Sequence, residues 1–327
     1  MDIHPGGFEN RFLVIRFMLN GDRVAVFVEP RNFLEAIRHE NVNPEFALKI
    51  EKELRKAQSS SRIVYYLLAS LFILGLLIYF LWDNILLFVL DLTPHSVDRS
   101  IGELAYTDFV MRNPPLEDDD LNEAIEEIRA KLVSTDPLLV KYYNITVVVV
   151  KNSAVNAFAL PDGHVVIFSG LICEANSSDE IAGVLAHELG HISNRHQMKI
   201  LYTRLGTTIV LTLIASSVGI DVDISKIATT LIHLSYTREQ EKEADLYAVD
   251  HLVRAGIDPH GYLTFFRRLI ESGGDVPYIM AFLSDHPAMK TRIKYIEDAI
   301  SRYDVKPHAD LPDIKLLKTR GVLNCAE

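Results

Sequence analysis

Residues Ser177–His196 read SSDEIAGVLAHELGHISNRH, and within them His187-Glu188-Leu189-Gly190-His191 is the pattern H-E-x-x-H. On a helix, residues four apart lie on one face, one turn apart. His187 and His191 can then aim imidazole nitrogens at a single metal ion, with Glu188 beside them as general base for an activated water. The neighbouring residues support the helix. Ser177 and Glu180 form a capping-box pair, and Ile181, Val184, Leu185 and Leu189 are apolar at helical spacing. Gly190 is a weak helix former, and its missing side chain leaves room beside the metal face. Two imidazoles and a carboxylate at this spacing favour zinc over a pair of satisfied core histidines.

A catalytic zinc takes three protein ligands and keeps one position for water. The third ligand must come from another element. Downstream, Thr237–Asp245 reads TREQEKEAD, which offers Glu239, Glu241, Glu243 and Asp245, with His233 and His251 close by. Spacing alone does not choose among them. Glu241 and Asp245 are four apart and share a helix face, so one could bind metal while the other anchors a ligand histidine. Glu243 points away from that face.

The 327 residues are enough to bury a sizeable core. The net charge of −11 argues against a nucleic-acid binder, because neutralising phosphates needs a basic face. The two cysteines, Cys173 and Cys325, form neither a disulfide framework nor a C-x-x-C metal site. They read as a buried small residue and a tail thiol, and the sequence leaves their pairing undecided.

Around this centre the chain divides by composition. Residues 1–60 form a small N-terminal unit of unknown role: strands at Phe12–Met18 and Val24–Val28 joined by Asn20-Gly21-Asp22, a hairpin signal, then a charged helical stretch broken near Asn43-Pro44. Ile63–Trp82 is twenty residues without a charge, long enough to span a bilayer. It starts too far from Met1 to be a cleaved signal. Tyr65, Tyr66, Tyr79 and Trp82 near its ends fit an aromatic belt. Lys49, Lys52, Arg55, Lys56 and Arg62 precede it, and only Arg99 follows at comparable distance. The positive-inside rule then places the N-terminus in the cytoplasm and the rest beyond the membrane, in the periplasm if the source is bacterial.

Residues 83–120 read as an interfacial segment (Ile85–Leu90) and a polar linker ending in Asn113-Pro114-Pro115 and Glu117–Asp120. Leu121–Val133 is amphipathic, Ile145–Val150 a buried strand, and Ala154–Leu160 and His164–Phe168 two strands about the turn Pro161-Asp162-Gly163. After the H-E-x-x-H helix, Thr207–Ile220 is apolar but too short to span comfortably. Leu231–Arg254, Tyr262–Ile270 and Met289–Tyr303 read as helices, and residues 304–327 as a C-terminal tail.

Three motifs in order now carry a resemblance. Asn156-Ala157-Phe158-Ala159-Leu160-Pro161-Asp162-Gly163 resembles N-A-F-A-x-P-G-G, with Asp162 at a usual glycine. His187–His191 is H-E-x-x-H, and Arg238–Asp245 resembles R-x-x-E-x-x-A-D, preceded by Thr237 where serine is usual. His286-Pro287 with Arg292 resembles a later H-P-x-x-x-x-R element. In these the chain resembles the M48 family of zinc metallopeptidases, which includes the CAAX prenyl protease and the HtpX-type membrane proteases, over roughly residues 100–303. The single firm span disfavours a CAAX-type enzyme, whose many spans enclose its site.

The resemblance implies an α+β fold: a mainly helical zincin-like domain over 121–303 with a small β-sheet, preceded by one transmembrane helix (63–82) and the N-terminal unit. It implies one Zn²⁺ per chain held by His187, His191 and Glu241, with Asp245 anchoring a ligand histidine. Glu188 would be the base, and His286 an oxyanion helper or a reversible fourth ligand that shuts the site. Ala157, Phe158, Ala159 and Arg292 would bind substrate, the strand by adding main-chain hydrogen bonds to an extended chain. The expected activity is a membrane-anchored zinc endopeptidase acting on misfolded or misassembled polypeptides. The alternative is a latent, zinc-bound protease working as a chaperone or assembly factor in the envelope. The expected partners are polypeptides and the lipid bilayer, without nucleic acid. The oligomeric state is left open.

Overall fold

The computed structural model describes residues 2–6, 12–40, 44–203, 231, 234–271, 286, 289–319, 323 and 325. The apolar stretch Thr207–Ile220 and the candidate ligand His233 lie outside the described residues. The chain separates into two compact units, residues 1–82 and 83–327.

In the first unit, strands β1 (Asp2–Gly6), β2 (Phe12–Leu19) and β3 (Asp22–Val28) form an antiparallel sheet in that order. The β2–β3 turn sits on Asn20 and Gly21, both at positive φ (52° and 92°), the backbone that Asn-Gly adopts readily in a tight hairpin. Leu13 and Ile15 of β2 alternate onto one face and pack with Ile37 of α1 (Pro30–His39) and Ile50 of α2 (Pro44–Leu92). Strand β1 escaped the sequence reading because its residues DIHPG carry no apolar alternation.

Helix α2 carries a stretch, Val64–Leu92, long and apolar enough to cross a membrane, with its most apolar window wholly unburied. Soluble cores hide such residues, so this exposure fits a segment solvated by something other than water. The helix continues past Trp82. Leu86 and Leu90 are buried in the second unit.

Residues 93–112, read above as a linker, form helix α3 (His95–Arg112) instead. Its amphipathic signal is weak because the residues that bury include Asp98, Gly102 and Ala105 as well as Ile101 and Phe109. Asp98 is fully buried and bound by Arg195 through Nε (2.8 Å) and Nη2 (2.7 Å). Arg195 also donates to the carbonyls of Leu90 (3.0 Å) and Thr93 (3.1 Å), so one guanidinium ties the end of α2, the start of α3 and the turn after the H-E-x-x-H helix. Arg195 reaches them from a left-handed backbone (φ 54°). Arg195→Met would leave the buried Asp98 carboxylate without its cation, held by the Tyr143 hydroxyl (3.0 Å), and would free the end of α2. The expected cost is about 3 kcal/mol, read as a lower urea midpoint of the full chain in detergent; an unchanged midpoint would show that this ion pair does not hold the unit together.

The rest of the second unit wraps the H-E-x-x-H helix, α7 (Ser178–Ser193), in which residues 180–192 are all buried. Ser177 caps it through the Glu180 N–H. A sheet in order β4 (Thr146–Val150), β6 (His164–Phe168), β5 (Ala157–Ala159) lies against it, β4 parallel and β5 antiparallel to β6. Helices α4 (Asp119–Val133), α5 (Pro137–Tyr142) and α6 (Ser169–Glu174) complete that side. On the other side lie α8 (Arg238–Arg254) and α9 (Pro259–Glu271), with α10 (Met289–Ile300) on both. A Cβ on Gly190 would come within 3.0 Å of Ala244 Cα in α8, and one on Gly183 within 2.4 Å of Tyr262 Cβ in α9. The room at Gly190 is therefore taken by a neighbouring helix.

Helix α8 starts later than the periodicity from Leu231 suggests, because Thr237 and Gln240 form a reciprocal capping box. The stretch read as a C-terminal tail packs against the domain where it is described. Helix α11 (Ile314–Thr319) buries Ile314, Leu323 is buried beyond it, and Cys325 is disulfide-bonded to Cys173. The pairing of two cysteines 152 residues apart is a property of tertiary contact, which spacing does not reveal.

Candidate metal centre

Helices α7 and α8 pack against each other, and His286, three residues before α10, lies against both. One ligating atom each from His187, His191, Glu241 and His286 lies within 4.8 Å of the others, and all four side chains are buried. The Nε2 atoms of His187 and His191 are 3.0 Å apart. Glu241 oxygens stand 3.7 Å from each, and His286 Nδ1 is 3.3 Å from His187 Nε2 and 3.0 Å from Glu241 Oε1. A tetrahedral zinc with bonds of about 2.1 Å has ligand separations of about 3.4 Å. The observed spacings bracket that value, and three imidazoles with one carboxylate are a donor set zinc favours. The residues fit the ion.

Charge and hydrogen bonding support the same reading. Burial alone would raise the Asp245 carboxyl. The Arg292 guanidinium and the hydrogen bonds from Arg292 and His187 instead hold it far below the usual range. Asp245 Oδ1 is 3.0 Å from His187 Nδ1, which puts the His187 proton on Nδ1 and its lone pair on Nε2, toward the cluster. Tyr262 and Tyr295 hydroxyls also donate to Asp245 (2.5 and 2.7 Å). Glu241 is kept below the usual range against burial by His286 and Arg292. Burial pushes the Glu188 carboxyl up to about 8. Among the described residues neither Glu188 oxygen has a well-formed hydrogen bond, although the Ala159 N–H faces it and His286 Nε2 is 3.6 Å from Oε1. A buried carboxyl this poorly satisfied is costly, and it is the kind of group that handles protons.

Most of the expected site residues converge, with two changes of position. Arg292, expected at the substrate, is buried instead. Its Nη1 is 2.5 Å from Glu241 Oε2, its Nη2 2.6 Å and Nε 2.8 Å from Asp245, and its guanidinium lies over the Phe266 ring. Two carboxylates sharing a dry site need a counter-cation, and Arg292 supplies it. Phe158 turns its ring onto Phe109 and Phe168, so of the strand it is the main chain that can face a ligand.

The register explains which main-chain groups. Phe168 N–H donates to Asn156 C=O and Leu160 N–H to His164 C=O, so 156, 158 and 160 bond to β6. Ala157 and Ala159 turn their N–H and C=O the other way. Asn156 Oδ1 accepts from the Ala157 N–H (3.0 Å), and Gln197 Nε2 donates to the Ala159 carbonyl (3.4 Å). These side chains stand where the strand's open edge would meet another chain.

Sequence reasoning missed Gln197, Tyr262, Tyr295 and His196, which lies against His191. His196 carried a readable signal, a third histidine five residues after His191. The two tyrosines carried none, because α9 and α10 meet the site only in the folded domain.

Comparison with known proteins agrees with this geometry. The sequence profile described as Peptidase family M48 matches residues 115–300. Three relatives illustrate the similarity. The putative beta-barrel assembly-enhancing protease of Vibrio cholerae is 29% identical over 64% of this chain and 46% of its own length. The mitochondrial metalloendopeptidase OMA1 of Schizosaccharomyces pombe is 34% identical over 48% of this chain and 47% of its own. The metalloprotease LoiP of Escherichia coli is 33% identical over 46% and 61%. The chain thus spans about half the length of the curated relatives it matches. With the profile covering more than half of its residues, and a buried His-His-Glu-His group suited to zinc at the centre of that match, the chain belongs to peptidase family M48.

Proposed function

We propose that the chain is a membrane-anchored zinc endopeptidase that cleaves extended polypeptides, with residues 121–303 as its peptidase domain and 63–82 as its span. The convergence of His187, His191, Glu241 and His286 on one buried point carries this reading. His187, His191 and Glu241 would hold the ion. Zinc, when bound, supplies the Lewis acidity that activates water and polarises a carbonyl. Asp245 fixes His187 in the tautomer that presents Nε2, and Arg292 balances Asp245 and Glu241. Glu188 is the general base: it takes a proton from the attacking water and returns it to the departing amine. The 157–159 edge would bind substrate main chain once Asn156 and Gln197 yield their hydrogen bonds, which favours substrates already unfolded.

The basic residues before the span, set against Arg99 after it, support a cytoplasmic N-terminus and a peptidase domain across the membrane. The Cys173–Cys325 bond supports an oxidising compartment on that side. Loose or misassembled envelope proteins are the substrates this arrangement suits.

One observation favours a second, latent state of the same protein. His286 Nδ1 sits inside the ligand cluster, and a site with four protein donors is closed to water. A chain resting in this state could act as a zinc-bound assembly factor until His286 withdraws.

The purified 327-residue chain in detergent should contain one zinc per chain and cleave casein, and should lose both on chelation. Glu241→Ala should lose the zinc. His286→Ala should keep the zinc and cleave faster if His286 shuts the site, or more slowly if it serves the oxyanion. A Glu241→Ala protein that retains full zinc, or a wild type with zinc but no cleavage alongside an equally inert His286→Ala, would reject the endopeptidase reading.

A further inference from the structure

We propose that His196 and Glu243 are positioning residues for His191, forming a chain of two imidazoles and a carboxylate that fixes how His191 presents its metal-binding nitrogen. The inference rests on the metal site argued above and adds residues that site did not include.

The geometry is explicit. His191 Nε2 faces His187 Nε2 and Glu241, so its Nδ1 points away from the cluster, where it meets His196 Nδ1 at 2.9 Å. His196 is fully buried, and its Nε2 is 2.8 Å from Glu243 Oε2 on α8. The left-handed backbone at Arg195 turns the chain sharply after α7 and sets the next residue back beneath His191. The Tyr236 ring, stacked on His191 at 3.7 Å, fixes the imidazole plane.

Proton bookkeeping follows from those contacts. A metal-binding Nε2 must keep its lone pair, so a neutral His191 carries its proton on Nδ1. That proton can only be donated to His196 Nδ1, which must therefore accept. His196 then holds its own proton on Nε2 and donates it to Glu243, a carboxylate that can only accept. Each nitrogen is used once. Any other arrangement of neutral rings sets two lone pairs or two protons face to face at 2.9 Å, or removes the lone pair from His191 Nε2.

The two zinc imidazoles are thus held differently. His187 Nδ1 meets the buried Asp245 directly. His191 Nδ1 meets a neutral ring, and the carboxylate behind that ring is Glu243, about half exposed. Glu243 lies off the face shared by Glu241 and Asp245, as its spacing suggests, and from there it reaches around the end of α7 to His196.

Outer hydrogen-bond partners of metal-binding histidines are worth about 10–100-fold in metal affinity. The test is zinc affinity of the full chain in detergent, read by competition with a coloured chelator, with unfolding midpoints of the metal-free proteins in parallel. His196→Ala is expected to weaken zinc by about 10–100-fold. Glu243→Ala should weaken it less. The double variant should bind no worse than His196→Ala, because Glu243 acts only through the ring that is gone. Glu243→Gln, whose amide oxygen still accepts from His196 Nε2, should bind nearly as well as wild type. Cobalt-loaded His196→Ala should show shifted visible bands.

A residue that merely staples α7 to α8 would lower the metal-free midpoint and leave affinity and cobalt bands unmoved; that result overturns the proposal. So does additive loss of affinity in the double variant. If wild type binds zinc, His191→Ala does not, and His196→Ala binds like wild type, this inference alone fails. If wild type binds no zinc, the metal site fails with it. None of these readouts depends on proteolysis.

Discussion

Glu188→Gln is expected to keep one zinc per chain and to lose proteolysis by about 10²–10⁴-fold, the usual contribution of a positioned base. Glutamine has nearly the same shape but cannot accept a proton. Glu188 lies outside the four-donor cluster, so the ion should remain. A second readout follows from its environment. A carboxyl whose folded pKa is pushed up to about 8 binds more protons folded than unfolded at intermediate pH. Measured against Glu188→Gln, the ion-free wild type should therefore lose stability as pH rises from about 4.5, the ordinary glutamate value, toward 8. Glu188→Gln removes that dependence, so the ion-free variant should match wild type at pH 4.5 and exceed it at pH 8. Parallel metal analysis, casein cleavage and unfolding curves on the two proteins settle the point. A variant as active as wild type would remove Glu188 from the chemistry. A variant that loses its zinc would mean that Glu188 helps hold the ion.

Breaking the Cys173–Cys325 bond is expected to have the largest effect on stability. The bond closes a loop with a sequence separation of 152 residues. Loop-closure entropy assigns such a link about 5 kcal/mol. In a domain of this size, that corresponds to a fall in Tm of roughly 10–20 °C. The bond also secures a strap that touches the metal helix. Ser178 Oγ, in the first turn of α7, donates to the Pro312 carbonyl. Lys318 Nζ donates to the carbonyls of Cys173 (2.5 Å) and Ala175 at the end of α6, and Ile314 is buried. Cys173→Ser, Cys325→Ser and the double variant should all melt at the same lowered temperature. A reducing agent should bring wild type to that temperature and leave the double variant unchanged. A wild-type Tm insensitive to reduction would show that the bond does not anchor the strap.

The site was legible wherever its residues lie within a turn or two of one another. His187, Glu188 and His191 follow from helical spacing, as does the pairing of Glu241 with Asp245 on one face of α8. The hairpin at Asn20-Gly21 and the long apolar helix from Ile63 were readable for the same reason: a local rule of backbone or hydrophobicity decides them. Residues 93–112 were misread because Asp98, Gly102 and Ala105 bury for reasons that lie elsewhere, in Arg195 and in the close approach of Asp162 to Gly102. Arg292 shows the same limit. Its motif is visible in the chain, but its burial against Glu241 and Asp245 is not.

From the order of residues alone came the H-E-x-x-H helix, the nature of its ion and an apolar stretch long enough to cross a membrane. These are set by period and residue chemistry, which travel with the chain whatever it packs against. Folding alone decided which atom His286 turns into the cluster, that His196 and Glu243 lie behind His191, that Arg292 balances two acids, and that Cys173 finds Cys325. Those contacts join residues from 45 to 152 positions apart, apart from the short turn at His196. Their geometry depends on how helices and sheet stack, which is governed by side-chain shape summed over the whole core.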